Sequence, residues 1–384
     1  MGTRGNNATA PVVSLTHGNY AATDLTTFLT SVAGSPLRVR PVATITGEVA
    51  AAGVRNGTAH WLAGSARAFG AVELLCRTAN GIATTVTPVP ELMHALKGEP
   101  ELRAKMEAAL HRLTEPRPNW AGFAFDRTLI MGILNVTPDS FSDGGQFADP
   151  AHAIAHGRAL VAAGADIVDV GGESTRPGAT PVSPDDEFAR IGPVIQALVA
   201  AGTVISVDTR HASVMTRALE AGARIVNDIA ALSQPGAVEV AAKTRAPVVL
   251  MHMQGDPSTM QHAPRYALAS LDIVEFLEAR IAACVNAGIA HDSIVVDPGI
   301  GFGKTKAHNL EILARIGLLH DLGTGILIGA SRKSFLGGTV DARLAASLAV
   351  AIHAVQQGVQ ILRVHDVAET RAAVAATEAL ATAP

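Results

Sequence analysis

The stretch Met131-Gly-Ile-Leu-Asn-Val-Thr-Pro-Asp-Ser-Phe-Ser-Asp-Gly-Gly145 divides into two halves of opposite chemistry. Together with Leu129 and Ile130, the first half supplies Met131, Ile133, Leu134 and Val136, an apolar run of the length of a buried strand. The second half has no apolar stripe. Thr137, Asp139, Ser140, Ser142 and Asp143 are polar, Pro138 breaks the ladder, and Gly144-Gly145 ends the run as a turn. A buried strand that opens into a polar, Gly/Pro-punctuated loop is a common mounting point for active-site groups. Asn135 stands at the end of the strand with an amide oxygen suited to a hard cation. Taken alone, it reads first as an asparagine that caps its own strand end.

The same pattern recurs outward from this stretch. Apolar strand-like runs occupy 128–136, 167–171, 204–208, 225–229, 247–253, 294–297, 325–330 and 361–364, with segments of helical composition between them. After the second run, Ser183 is placed as an N-cap and Pro184 as the first helical residue, and Asp185, Asp186 and Glu187 complement the helix dipole. Phe188, Ile191, Ile195 and Leu198 then repeat at core-facing spacing, and Ala201-Gly202 stops the helix. Gly164, Gly222 and Gly288 close other helices in the same way. Eight such units over about 250 residues have the size and count of a TIM barrel. An open doubly wound sheet would carry a glycine fingerprint after its first strand, and Asn135-Val-Thr-Pro-Asp has none. The expected fold is therefore α/β, a (β/α)8 TIM barrel over 128–384.

Ahead of it, residues 1–115 read as a small α+β N-terminal domain. Short apolar runs alternate with glycine-bearing turns from Arg38 to Arg77, and Met93 to Leu113 has helical spacing interrupted at Glu99-Pro100. No chemistry stands out there, and the expected role is packing or oligomerisation. Residues 116–127, with Pro116, Pro118 and Gly122, read as a linker.

The chain has 384 residues, 48% hydrophobic and 17% charged, enough for a large core. A net charge of -4 gives no sign of a nucleic-acid partner or an anionic membrane surface, so any bound phosphate must be held by a few placed groups. Cys76 and Cys284 lie far apart, which argues against a disulfide framework and a thiolate metal site and points to reduced thiols in a cytoplasmic protein. The N-terminus lacks a signal-peptide apolar region, and no apolar run approaches the roughly 20 residues needed to span a bilayer.

In a barrel, functional side chains come from the C-terminal ends of several strands. Here those ends carry Asn135; Glu173, Thr175 and Arg176; Asp208; Asn227-Asp228; Met251-His252; Asp297; Ser331-Arg-Lys-Ser; and Arg363-Val-His365. A packed barrel has no structural need for polar groups at all eight mouths. Asp208, Asn227 and Asp297 suit a flat heterocycle with amide and amino edges, Met251 and Ile229 offer apolar walls, and Lys333 is placed to reach the same ring. Thr175, Arg176, Arg363 and His365 are anion-binding types. The site therefore suggests a nitrogen heterocycle carrying phosphate. Competing motifs fail. Gly303-Lys304-Thr305 mimics the end of a P-loop, but Pro298 stands where its first glycine belongs. There is no His-Glu-x-x-His pair and no Gly-x-Ser-x-Gly elbow. His252 reads equally as a buried, hydrogen-bonded core histidine or as an actor.

Over residues 126–370 the sequence resembles the dihydropteroate synthase family. Besides the opening string, it has Gly171-Gly-Glu-Ser-Thr-Arg-Pro-Gly-Ala, Val207-Asp-Thr, Val226-Asn-Asp-Ile, Asp297-Pro-Gly-Ile-Gly-Phe-Gly-Lys, Ser331-Arg-Lys-Ser and Arg363-Val-His-Asp in family-like order. The resemblance implies an enzyme that joins 4-aminobenzoate to 6-hydroxymethyl-7,8-dihydropterin diphosphate and releases diphosphate, usually as a homodimer. It implies that Asp208, Asn227, Asp297 and Lys333 hold the pterin and that Asn135 binds Mg²⁺. Thr175, Arg176, Arg363 and His365 would hold the diphosphate. The 137–145 loop, with Asp143, and the 172–180 loop would close over the site, with aminobenzoate near Pro177, Phe302 and Ser334. Asp143, Arg176, Lys333, Arg363 and His365 are the expected catalytic set. A pterin-dependent methyltransferase would have no use for two diphosphate arginines, and a non-catalytic pterin binder should have lost some of the strand-end groups. The N-terminal 115 residues depart from the family pattern.

Overall fold

The protein is represented by a computed structural model that describes residues 20–32, 35–79, 81–137, 150–174, 182–256 and 259–383. The expected calls on Asp143, Thr175, Arg176 and Pro177 lie outside the described residues.

Eight parallel strands close into a barrel: β6 (Leu129–Asn135), β7 (Ile167–Gly171), β8 (Ile205–Asp208), β9 (Ile225–Asp228), β10 (Val248–Met251), β11 (Ile294–Asp297), β12 (Gly325–Ile328) and β13 (Ile361–Val364). Closure comes from β13 against β6, with Ile361 opposite Leu129 and Arg363 opposite Met131. The helices α5 (Pro150–Ala162), α6 (Pro184–Ala200), α7 (Ala212–Glu220), α8 (Ala237–Thr244), α9 (Ala269–Asn286), α10 (Lys306–Ala314), α11 (Leu344–Gln356) and α12 (Val367–Thr382) follow the strands in turn. At the start of α6 the Ser183 hydroxyl accepts from the Asp186 amide at 3.1 Å, as its spacing implies. Asp185, Asp186 and Glu187 occupy its first turn as expected, and Glu187 is in addition fully buried and meets His211 Nδ1 at 2.7 Å.

Strand periodicity sorts the side chains. Ile130, Val168, Val226, Leu250, Val296 and Leu362 join the core shared with the helices. Their alternates Leu129, Met131, Ile167, Ile225, Val249, Val295, Leu327 and Ile361 form a separate cluster within the barrel. Trp120 closes the floor of this inner cluster. It is 1% exposed, and its indole N–H donates to the Ser293 carbonyl at 3.0 Å. The segment expected as a linker thus carries a structural anchor.

The N-terminal unit comprises β1 (Tyr20–Ala22), α1 (Leu25–Ser31), β2 (Leu37–Thr46), α2 (Gly47–Arg55), β3 (His60–Trp61), β4 (Arg67–Thr78), β5 (Gly81–Pro88), α3 (Val89–Ala95) and α4 (Pro100–Thr114). Its sheet runs β1-β5-β4-β2, with β3 on β4, and is antiparallel apart from the β1–β5 pair. Val72, Leu74 and Cys76 pack with Phe28, Leu92, Leu96 and Leu113 of its own helices. Leu75 and Ile82 instead join the barrel's core.

Arginines surround that apolar contact. Asp272, Glu275 and Glu278 recur every third residue along α9, which places them on one helix face. Arg77 pairs with Asp272 and, at 2.9 Å, with Glu275; Arg38 pairs with Glu278. Asp321 has a fully buried side chain and sits between Arg112 at 2.8 Å and Arg38 at 3.5 Å. Removing one partner of a buried ion pair is costly because it strands the other charge. Arg38→Met is expected to cost about 3 kcal/mol, the low end of that effect, since Arg112 still holds Asp321. Urea denaturation of the full chain measures this, and an unchanged midpoint would mean that Arg112 alone satisfies the carboxylate.

Candidate active site

Apolar residues fill the inward positions at the lower end of the strands, and, Met251 apart, polar residues take the same positions at the upper end. Met131 is followed in its row by Asn135, Ile167 by Asp169, Ile225 by Asn227, Val249 by Met251, Val295 by Asp297 and Ile361 by Arg363. The functional groups are therefore gathered at the C-terminal mouth, where βα-loops surround them.

Arg363 organises the centre. Its Nε donates to Asp169 Oδ2 at 2.6 Å and its Nη2 to Asp208 Oδ2 at 2.6 Å. Asn227 Nδ2 also donates to Asp169 Oδ2, at 3.1 Å. Asp169 is fully buried, and among the described residues its Oδ1 has no hydrogen-bond partner. Sequence reasoning gave Asp169, which lies inside the second apolar run, no role. Its signal was an acid two residues beyond Ile167 inside an otherwise apolar strand. Arg363, expected at the anion end, bonds to Asp208, expected at the heterocycle end, so the two sets of residues meet.

Asp297 is 5% exposed, and its Oδ1 accepts from the Gly299 amide at 2.7 Å. Burial raises its pKa, opposed by that amide and then by Lys333, Arg363 and Lys304. Burial likewise raises Asp208, while Arg363 pulls it down. Lys333 follows Arg332, a non-glycine residue at φ 57°, and its ammonium lies 4.1 Å from the centre of the Phe302 ring. Burial, and then repulsion from Arg363, brings Lys333 down to about 8. Met251 and Ile229 are buried beside these groups in the chain, and Ser334 is exposed.

His365 lies at 3.1 Å from the Ser331 hydroxyl through Nδ1. Burial, then Arg363 and Arg332, lowers it to about 4. At neutral pH the imidazole is therefore uncharged. His252 is a buried core histidine: it contacts Lys304 Nζ at 3.0 Å and is held near 3 by burial and that ammonium. Asp228 is also structural. Its oxygens accept from the Ala230 and Leu232 amides at 2.7 and 2.8 Å.

Two groups bear on a metal. Among the described residues the Asn135 amide has no hydrogen-bond partner, and it ends β6 at the mouth. One neutral oxygen fits Mg²⁺, which keeps several waters and takes substrate phosphate oxygens as its other ligands. Glu173, Glu187 and His211 also converge. Arg210 already occupies both Glu173 oxygens, at 3.2 and 3.0 Å, and His211 Nδ1 meets Glu187 at 2.7 Å. With the arginine in place as the cation, this cluster is a brace between β7, α6 and α7.

The family described as "Pterin binding enzyme" matches residues 131–365. Dihydropteroate synthase of Escherichia coli (strain K12) is 48% identical over 255 residues, which cover 65% of this chain and 90% of that protein. A structure of Xanthomonas albilineans dihydropteroate synthase with 4-aminobenzoic acid superposes with a TM-score of 0.65 at 46% identity, covering 69% of this chain and 97% of that one. Another from the same organism, in complex with 7,8-dihydropteroate, gives 0.63 at 42% identity and covers 68% of this chain and 97% of that one. A barrel with this arrangement of strand-end groups, matched along nearly the whole length of such relatives, belongs to the dihydropteroate synthase family of pterin-binding enzymes.

Proposed function

We propose that the protein condenses 6-hydroxymethyl-7,8-dihydropterin diphosphate with 4-aminobenzoate to 7,8-dihydropteroate, releasing diphosphate. The observation that carries the reading is the buried Asp169–Arg363–Asp208 chain at the barrel mouth, with Asn227 hydrogen-bonded to it. In this reading Asp208, Asn227 and Asp297 meet the donor edges of the pterin, Lys333 meets its carbonyl edge, and Met251 and Ile229 form its walls. Arg363, His365, Thr175 and Arg176 receive the diphosphate. Pro177, Phe302 and Ser334 border the aminobenzoate. The relatives solved with 4-aminobenzoic acid and with 7,8-dihydropteroate support both substrate classes.

The bond from the pterin methylene to the diphosphate oxygen breaks, and a bond to the amine nitrogen forms. Aniline nitrogen is uncharged at neutral pH, so no general base is needed before attack, and the amine proton leaves afterwards to solvent. The demanding part is the charge that collects on the leaving group, which fixed cations stabilise without reorganising. Mg²⁺, when bound, supplies Lewis acidity to those oxygens, and Asn135 is the residue that would hold it. Water must be kept from the electron-poor methylene, a role we assign to the 137–145 loop with Asp143 and to the 172–180 loop.

The reading extends to assembly and location. The outward face of α11 carries Leu344, Ala345, Leu348, Ala349 and Ile352 without a charge, although none of these side chains is buried. Such a face fits a second copy of the chain. Residues 1–115 act as a packing unit, a role supported by the arginine contacts of Arg38, Arg77 and Arg112 with the barrel. Among the described residues no helix is long and apolar enough to cross a membrane, and a cytoplasmic location fits the two free, buried cysteines.

Three measurements test these statements. Diphosphate release should require both substrates and Mg²⁺, and Arg363→Ala should lower kcat/KM at least about 30-fold, because it leaves Asp169 and Asp208 unpaired. An unaffected variant would remove Arg363 from the reaction. The pH profile of kcat/KM should fall above about 8, since a lysine with a lowered pKa is charged only below it. Its acid limb should lie above the ordinary carboxylate range, since Asp208 is raised. Lys333→Met should flatten the alkaline limb alone, and an unchanged limb would assign it to another group. Finally, sedimentation should give twice the chain mass for the wild type and the single mass for Leu348→Asp with Ile352→Asp. A monomeric wild type would reject the dimer.

A further inference from the structure

Lys304 follows the loop that leaves β11 and is 3% exposed. Lysine ordinarily keeps its ammonium in water, and an ammonium is buried only when its donors are matched. All three are matched here. Nζ donates to the Phe302 carbonyl at 2.8 Å and to the His252 carbonyl at 3.3 Å, and lies 3.0 Å from His252 Nδ1. None of these acceptors is a carboxylate, so the charge is enclosed without a direct counter-ion. Burial accordingly pulls the Lys304 pKa down to about 7. An apolar side chain of the same length would cost the fold less.

What the ammonium touches indicates why it is there. The 297–304 loop lies flush against the segment after β10. A Cβ at Gly299 would fall 1.9 Å from the His252 carbonyl, and one at Gly303 would fall 2.7 Å from that of Gln254. Lys304 pins this contact from beneath. It holds Phe302 by its carbonyl while Lys333 rests on the face of the same ring, 4.1 Å from its centre. The carboxylate that stabilises its charge from a distance is Asp297, and the cation that opposes it is Lys333.

We propose that Lys304 is a positioning residue for the condensation: by tying the Phe302 carbonyl to that of His252 it fixes the Phe302 ring beside the aminobenzoate. The proposal rests on the functional reading above and adds a residue that does not itself touch substrate. Lys304→Met removes the hydrogen bonds. Lys304→Gln keeps N–H donors for the two carbonyls.

The test is steady-state kinetics of the full chain with both variants, beside their thermal midpoints. Lys304→Met should raise the aminobenzoate KM at least tenfold, with smaller changes in kcat and in the pterin KM. Lys304→Gln should restore the aminobenzoate KM to within about threefold of wild type. A Lys304→Met variant whose aminobenzoate KM stays within twofold of wild type, or that loses kcat only in proportion to the folded fraction, would overturn the proposal. If the wild type releases no diphosphate, the functional reading falls, and Lys304 is then judged by equilibrium binding of 4-aminobenzoate with the pterin diphosphate present. Tenfold weaker binding by Lys304→Met would support the proposal, and an unchanged Kd would overturn it.

Discussion

One guanidinium shared between two carboxylates sets the character of the barrel mouth. Arg363 on the last strand reaches Asp169 on the second and Asp208 on the third, each at 2.6 Å. Bringing these charges out of water is unfavourable unless they are matched, so the trio holds its geometry before any ligand arrives. The constraint spreads from there. Asn227 is oriented by Asp169, and Lys333 loses basicity through burial and then through the nearness of Arg363. In the proposed reaction, a ligand that took Asp208 for its own donors would free one face of the guanidinium at the same moment, and Asp169 would keep the arginine in place.

Much of this was legible because a strand of a closed barrel must change chemistry where it leaves the core. The structure places a strand within each of the eight apolar runs, and polar groups stand at or just beyond the strand ends. Ser183 and Pro184 announced their helix because capping is local. What the sequence hid was pairing across long separations. Nothing near Asp169 points to Arg363, and the burial of Glu187 depends on His211, which belongs to a different helix. Lys304 was obscured for another reason. Its neighbours imitate a phosphate loop, and rejecting that motif removed the residue from attention. The docking of the N-terminal sheet was equally hidden, since Arg38, Arg77 and Arg112 sit on three elements and converge only in space.

The two halves of the molecule are joined by different means at different depths. Leu75 and Ile82 of the sheet enter the barrel's apolar core, and the ion pairs lie around them on α9 and at Asp321. The apolar contact supplies area, which is not directional, while the arginine forks fix register. A sheet attached by its apolar face alone would be free to slide on α9; one attached by charge alone would respond to salt.

Trp120 gives this arrangement an evolutionary meaning. Its indole seals the lower end of the barrel, yet it precedes the first barrel strand and lies between the two units in the chain. A barrel exchanged between proteins at the first strand would arrive with an open base. The transferable cassette therefore begins upstream of the tryptophan, and an extension such as the present sheet can be gained or shed only at a junction that leaves this stopper with the barrel.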